Sequence, residues 1–362
     1  MTDKRLRFGM IGAGGIAQAY AEAFRNCEVA RIVAVADTRP EAAKALSEGI
    51  GCQSYNSYPA MAKKEKLDAV VVCTPPATHP KICLYFVERK VHVLCEKPLS
   101  IDVKNAKLMV EAARSAQVKL TMASKFRYVE DVIRAKSIVA SGILGEIVLF
   151  ENAFTSRVDM SSRWNAESKI SGGGVLIDNG THSVDLMRYF IGPLAQVQVV
   201  EGKRVQGLAV EDTVHIFVRS ISGVMGAIDL SWSINKELDS YINIYGSHGT
   251  VFVGWKESKY RQSSSRDWVV FGNGYDKVQA FRSQINNFSK AIRGEENLLI
   301  TAEDALASVE VIEAAYAALR QNQWTTVSQK AGNGRKPYRL RPAVVKRTLI
   351  SDIDGAGTSP RS

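Results

Sequence analysis

Short apolar runs rich in Val, Ile and Ala recur through the first third of the chain, at 6–11, 31–36, 69–73, 91–95 and 119–123. Each is too short for a helix and rich in residues that favour strands. Between them the apolar positions change period. Ile82, Phe86 and Val87 stand at helical spacing within 79–89, and a further helix is predicted over 102–116 after Ser100. Strands alternating with helices predict a parallel, doubly wound sheet, which holds ligands at the carboxyl ends of its strands. Gly12, Thr74 and Glu96 to Pro98 are therefore expected around one crevice.

After a helix predicted over 129–141 the pattern becomes strand-rich, with runs at 146–154, 195–203, 213–219, 225–232, 241–245 and 250–253. Val214, Ile216 and Val218 alternate with His215 and Phe217, as on a sheet with two different faces. A Gly-rich entry and a helix over about 173–191 interrupt this antiparallel sheet, and helices over 277–293 and 302–320 follow it. Thr301 and Asp304 form the cap signal of the last helix. The predicted class is α/β: an N-terminal Rossmann doubly wound parallel sheet over 1–124, then an α+β domain with an open, mostly antiparallel sheet over 125–326. A basic extension is expected over 327–362.

Composition changes this picture little. With 46% hydrophobic and 23% charged residues, 362 residues suffice for two cores. The net charge of +10 raises a nucleic-acid reading, but eight Lys and Arg against two Asp fall within 330–362. That tail reads as a mobile or surface-lying extension, and the remainder is near neutrality, so no nucleic-acid partner is expected. Five cysteines, none in a C-x-x-C pair, fit a reducing compartment, and no metal ligand spacing joins the histidines. Glycines and polar residues break the N-terminal apolar stretch, and no run reaches the roughly 18 residues a membrane span needs. The expectation is a cytoplasmic protein without a membrane partner.

Gly12-Ala13-Gly14-Gly15-Ile16-Ala17 follows the first strand and opens a helix. The motif allows a tight turn, close approach of backbone to a pyrophosphate, and helix packing against the strand. Asp37 ends the second strand, where a carboxylate accepts hydrogen bonds from adenosine ribose hydroxyls and disfavours a 2′-phosphate. NAD is the expected cofactor. Arg39, two residues on, offers a guanidinium to that phosphate and keeps NADP open.

Glu96-Lys97-Pro98, the run Gly172-Gly173-Gly174 leading into Asp178, His182 and Asp185, Thr74-Pro75, and Phe126-Arg127-Tyr128 complete a set that resembles the Gfo/Idh/MocA oxidoreductases over residues 5 to 326. The resemblance implies that Lys97 is the active-site lysine and that Asp178 and His182 are an acid/base pair. It places Thr74, Pro75 and Glu96 near the nicotinamide half of the cofactor. It further implies that the open sheet lines the substrate site and builds a homodimer or homotetramer. Pro76 departs from the Asn that many relatives carry, losing a side-chain amide toward the cofactor. The expected cofactor set is thus Gly12, Ala13, Gly14, Gly15, Ile16, Asp37, Thr38, Arg39, Thr74, Pro75, His79, Glu96 and Lys97.

The chemistry of these residue types agrees. Oxidising a secondary alcohol requires a base within hydrogen-bond reach of its hydroxyl, and histidine suits that task at neutral pH. Asp178 and His182 are i and i+4, so the carboxylate is expected to orient the ring. Lys97 is expected to polarise the substrate oxygen. Arg127, Tyr128 and Trp164 are added as substrate contacts; for Arg127 a salt bridge across the domain junction is the alternative, and for the two aromatics packing is. Asp185 is expected to support the site, and His79 to cap or pack near the cofactor. The predicted function is hydride transfer between NAD(P) and a hydroxyl-bearing carbon of a sugar, inositol or nucleotide sugar. An NAD-dependent glycoside hydrolase that oxidises the ring transiently, and a cofactor-sensing regulator without catalysis, are the alternatives.

Overall fold

Six parallel strands form the first sheet of the computed structural model, which describes residues 4–327; the basic extension predicted over 327–362 lies, beyond Val327, outside the described residues. The strands are β1 (Leu6–Ile11), β2 (Ala30–Ala36), β3 (Gln53–Tyr55), β4 (Ala69–Val72), β5 (His92–Glu96) and β6 (Leu120–Ala123). Their order, β3-β2-β1-β4-β5-β6, is that of a doubly wound sheet with its switch point between β1 and β4. All four residues of β4 are buried, because helices cover both faces of the sheet. The sequence pattern missed β3: it has three residues, two of them polar, and lies at the sheet edge.

The second sheet has nine strands: β7 (Ile147–Thr155), β8 (Leu194–Glu201), β9 (Thr213–Ser220), β10 (Met225–Ser231), β11 (Ser240–Gly246), β12 (Gly249–Gly254), β13 (Ser258–Gln262), β14 (Val269–Gly272) and β15 (Thr325–Thr326). Their order is β14-β13-β12-β11-β7-β10-β9-β8-β15. β7 and β10 run parallel and every other pair is antiparallel. The parallel pair arises because the chain leaves β7 through the Val175–Ile191 helix and the β8–β9 hairpin before returning. β13, β14 and β15 were not predicted; they are short, and their exposed positions carry little apolar alternation.

One face of this sheet buries Val197, Val199, Val214, Ile216 and Ile228 with Val184, Leu186, Met187, Val311 and Ile312 of two helices, Val175–Ile191 and Ala302–Gln321. On the other face Val200 and Phe217 stay exposed. The Lys277–Arg293 helix turns back to the first sheet, where Phe281, Ile285 and Phe288 join Phe8, Tyr20 and Phe24 in one core. This packing brings the start of that helix beside the carboxyl ends of β5 and β6. No helix of the described residues is long and apolar enough to cross a membrane.

Candidate active site

The loop after β1 is shaped for a dinucleotide. Gly12 has φ +94°, and a Cβ there would lie 2.7 Å from the Cys73 carbonyl oxygen, so the β1–β4 switch point admits only glycine without rearrangement. Cβ atoms on Gly14 and Gly15 would meet nothing within 4 Å, and the Gly15–Phe24 helix starts without a side-chain cap. Open space before uncapped N–H groups at a helix start suits a diphosphate.

Asp37 follows β2. Its Oδ2 accepts from Ala13 N at 2.7 Å and its Oδ1 from Arg39 N at 2.9 Å, while Arg39 Nε is 3.3 Å from Oδ1. Burial opposes ionisation of Asp37, but these donors outweigh it and the carboxyl titrates below its usual value. Arg39 is thus engaged by Asp37 rather than free for a phosphate. Thr38 lies between them. The residues fit the adenosine end of NAD, which supplies the hydride acceptor when bound.

Glu96, Lys97 and Pro98 leave β5 on the same side, with a cis peptide between Lys97 and Pro98. Glu96 is buried, with Tyr20 Oη 3.1 Å from Oε1 and Lys97 N donating to Oε2 at 3.1 Å. Burial raises its carboxyl above the usual range. Lys97 Nζ reaches the other half of the molecule, donating to the Asp178 carbonyl at 3.0 Å and forming an ion pair with the Asp178 carboxylate.

Glu211 fixes the helix that carries Asp178 and His182. Its Oε1 accepts from Gly174 N at 2.9 Å and Leu176 N at 3.1 Å, and Tyr316 Oη donates to it at 2.7 Å. A carboxylate at a helix start answers its free N–H groups and its dipole. Gly174 is obligatory because a Cβ would lie 2.0 Å from the Glu211 carbonyl oxygen.

His182 is buried one turn beyond Asp178. Burial, then the charges of Lys97 and Lys125, hold its imidazole well below its usual pKa, so the ring is neutral at neutral pH. The expected Asp178–His182 pairing does not form. Ser124 Oγ lies 3.3 Å from His182 Nδ1, and Asp185 is bonded by Arg127 instead of by the ring. With Nδ1–H turned to Ser124 Oγ, the Nε2 lone pair is left free; Nε2 has no partner among the described residues.

Other predicted positions fall elsewhere. His79 is fully buried, its Nδ1 2.9 Å from the Pro98 carbonyl and its Nε2 2.8 Å from that of Thr74, so it ties the β4 and β5 loops together. Thr74 Oγ1 and Thr78 Oγ1 are 2.7 Å apart, and Pro75 caps the next turn. Arg127 does not face a substrate: Nε donates to Asp185 Oδ2 at 2.9 Å, Nη2 lies 2.8 Å from Oδ1, and the two side chains are 4% and 0% exposed. This is the salt-bridge alternative, and burying an unpaired guanidinium would be costly. Tyr128 is 1% exposed, with Oη 3.2 Å from Asn287 Oδ1, and so offers no ring face. Trp164 is 40% exposed, and no ring contact joins it to His182.

Sequence reasoning missed the rings that do line His182. Phe126 stands edge-on to it at 5.0 Å and stacks on Tyr275 at 5.1 Å; Phe154, Tyr241 and Trp255 extend the wall. It also missed Ser124 and Lys125, although both directly precede the quoted Phe126-Arg127-Tyr128. Lys125 Nζ lies 5.3 Å, 5.6 Å and 5.9 Å from the ring centres of Phe126, Phe281 and Tyr275.

Residues 6–124 match the family model for the oxidoreductase family with an NAD-binding Rossmann fold, and 132–252 match the GFO/IDH/MocA C-terminal domain. The chain belongs to the Gfo/Idh/MocA oxidoreductase family. This member is 26% identical over 339 residues to an inositol 2-dehydrogenase of Rhizobium meliloti, covering 89% of the chain and 99% of that relative. A myo-inositol 2-dehydrogenase of Thermotoga maritima is 25% identical over 340 residues, with 90% and 100% covered. A levoglucosan dehydrogenase, solved with NADH and levoglucosan, superposes with a TM-score of 0.84 at 21% identity, with 90% and 100% covered, and shows the same fold. The chain is an NAD-dependent oxidoreductase whose named relatives act as inositol and sugar dehydrogenases.

Proposed function

We propose that this enzyme oxidises a secondary alcohol of a sugar, inositol or nucleotide sugar, and reduces the matching ketone in reverse. The observation that carries the reading is the Lys97–Asp178 contact, which brings one half's lysine within reach of the helix bearing His182. A substrate hydroxyl between Lys97 Nζ and His182 Nε2 would accept a hydrogen bond from the ammonium and give its proton to the imidazole as the C–H hydride departs. Asp178 holds the ammonium in place. The neutral state of His182 keeps it able to accept that proton.

Inositol and sugar dehydrogenases among the relatives support a polyol substrate, and the part-exposed rings of Tyr275 and Trp255 give apolar sugar faces a surface. The ion-paired Arg39 favours NAD over NADP. The exposed face with Val200 and Phe217 supports pairing of copies through the second sheet, which light scattering tests. The test of the activity is a screen of sugars, inositols and nucleotide sugars with NAD and NADP at 340 nm. Net cofactor reduction with a polyol is the expected result. Glycoside cleavage without net reduction, or cofactor binding with no turnover of any polyol, would overturn it.

A further inference from the structure

We propose that Lys125 is a substrate-binding, specificity-determining residue that directs this pocket toward sugars or polyols bearing one carboxylate. The inference rests on the polyol-oxidation reading and names its substrate class. Lys125 follows Ser124, which contacts His182, and precedes Phe126, which packs edge-on against it. Its ammonium is only part-exposed and faces three aromatic rings at 5.3 to 5.9 Å. It forms no hydrogen bond or ion pair with any described residue. A desolvated ammonium supported by ring faces alone retains unused donors, and a ligand oxygen is the partner they lack.

The charges around it select the kind of oxygen. The charges that act on Lys125 are those of Glu96, Lys97, Lys277 and Asp178. Lys97 is taken by Asp178, and Glu96 already accepts from Lys97 N and lies beside Tyr20 Oη. Counting Lys125 itself, three ammonium groups stand against two carboxylates, while His182 is neutral. The excess is one positive charge. A neutral polyol leaves that charge unanswered, a carboxylate balances it, and a phosphate dianion exceeds it. Burial chiefly, with Glu96 opposing and Lys97 and Lys277 adding, lowers the Lys125 amine to about 8.

The test uses matched pairs on the full chain saturated with NADH: glucuronate with glucose, galacturonate with galactose, and glucose 6-phosphate as the phosphate arm. Calorimetry on this dead-end complex gives each Kd, and absorbance at 340 nm with NAD in place of NADH gives kcat and KM. The acids are expected to bind at least tenfold tighter than their neutral partners at low ionic strength. In Lys125→Met this preference should fall below threefold, mainly through KM, and Lys125→Arg should restore most of it. NADH affinity should stay within threefold throughout. Acids binding no tighter than neutral sugars, or Lys125→Met weakening both alike, would overturn the proposal, and stronger binding of the phosphate would overturn the choice of carboxylate. If the acid preference appears while no compound changes the absorbance, the oxidation reading fails and the anion site stands.

Discussion

Replacing Lys97 by Met tests the site most directly, because the structure assigns its ammonium two separable effects. The first is on the reacting oxygen. The Lys97 side chain is 17% exposed and held by Asp178, so its remaining donors are preorganised rather than solvated. Removing one such donor from a developing charge costs about 3 kcal/mol, a loss of roughly 10²- to 10³-fold in kcat. The second effect is on His182, whose pKa burial, then Lys97 and Lys125, hold well below the usual value. Catalysis needs the neutral ring, so wild-type kcat/KM on a neutral sugar should be level from pH 6.5 up to the titration of Lys125 at about 8, and fall below that window. With Lys97 gone, one repulsive charge is removed, the imidazolium becomes easier to form, and the acid limb should move upward while burial keeps it below the unperturbed value. Steady-state rates at 340 nm from pH 5 to 9 measure both effects, and NADH fluorescence titration checks that cofactor affinity stays within threefold. Turnover within threefold of wild type, or an acid limb displaced to lower pH, would refute the reasoning.

Arg127→Leu should lower unfolding stability by about 3–5 kcal/mol, because it leaves the fully buried Asp185 carboxylate unpaired. Denaturant titration measures this, and Arg127→Leu with Asp185→Leu should recover a large part; a loss under 1 kcal/mol would show that the pair is not buried as described. Asp37→Ala releases Arg39 and removes the charge that disfavours a 2′-phosphate, so the NADP-to-NAD ratio of kcat/KM should rise at least tenfold, and an unchanged ratio argues against the assignment. Ser124→Ala should reduce kcat by tenfold or more with little change in KM, whereas Ser124→Thr should retain most activity; equal kcat in Ser124→Ala would remove the Ser124–His182 contact from the mechanism.

The first sheet was legible because parallel strands buried on both faces read as continuous apolar runs, and its switch point carries a glycine motif with strict backbone demands. Lys97, Asp178 and His182 were legible as residue types at motif spacings. Their partners were not. Periodicity places Asp178 and His182 on one helix face, but it does not report that an ammonium 81 residues earlier in sequence approaches that face and takes the carboxylate. Arg127 and Tyr128 show the opposite error: polar and aromatic residues at a junction suggest a ligand, yet Asp185 and Asn287, distant in sequence, satisfy them internally. Trp255 and Tyr275 sit in loops without period, so nothing local marks them as neighbours of Phe126. Ser124 and Lys125 had a usable signal, namely their position just past β6 at the ligand edge of the sheet.

How Asp178 and Asp185 are divided determines what the histidine can do. A carboxylate bonded directly to His182 would stabilise the imidazolium and raise its pKa, acting against the neutral base the reaction needs. Asp178 instead answers the Lys97 ammonium, where opposite full charges attract more strongly than an anion and a neutral ring. Asp185 has its charge taken by Arg127, and the ring's Nδ1 meets the neutral Ser124 hydroxyl instead. Ser124 thereby fixes ring orientation and tautomer without delivering a negative charge to it. Burial first, and the two lysines after it, then keep a histidine flanked by two aspartates along its own helix uncharged and ready to take a proton.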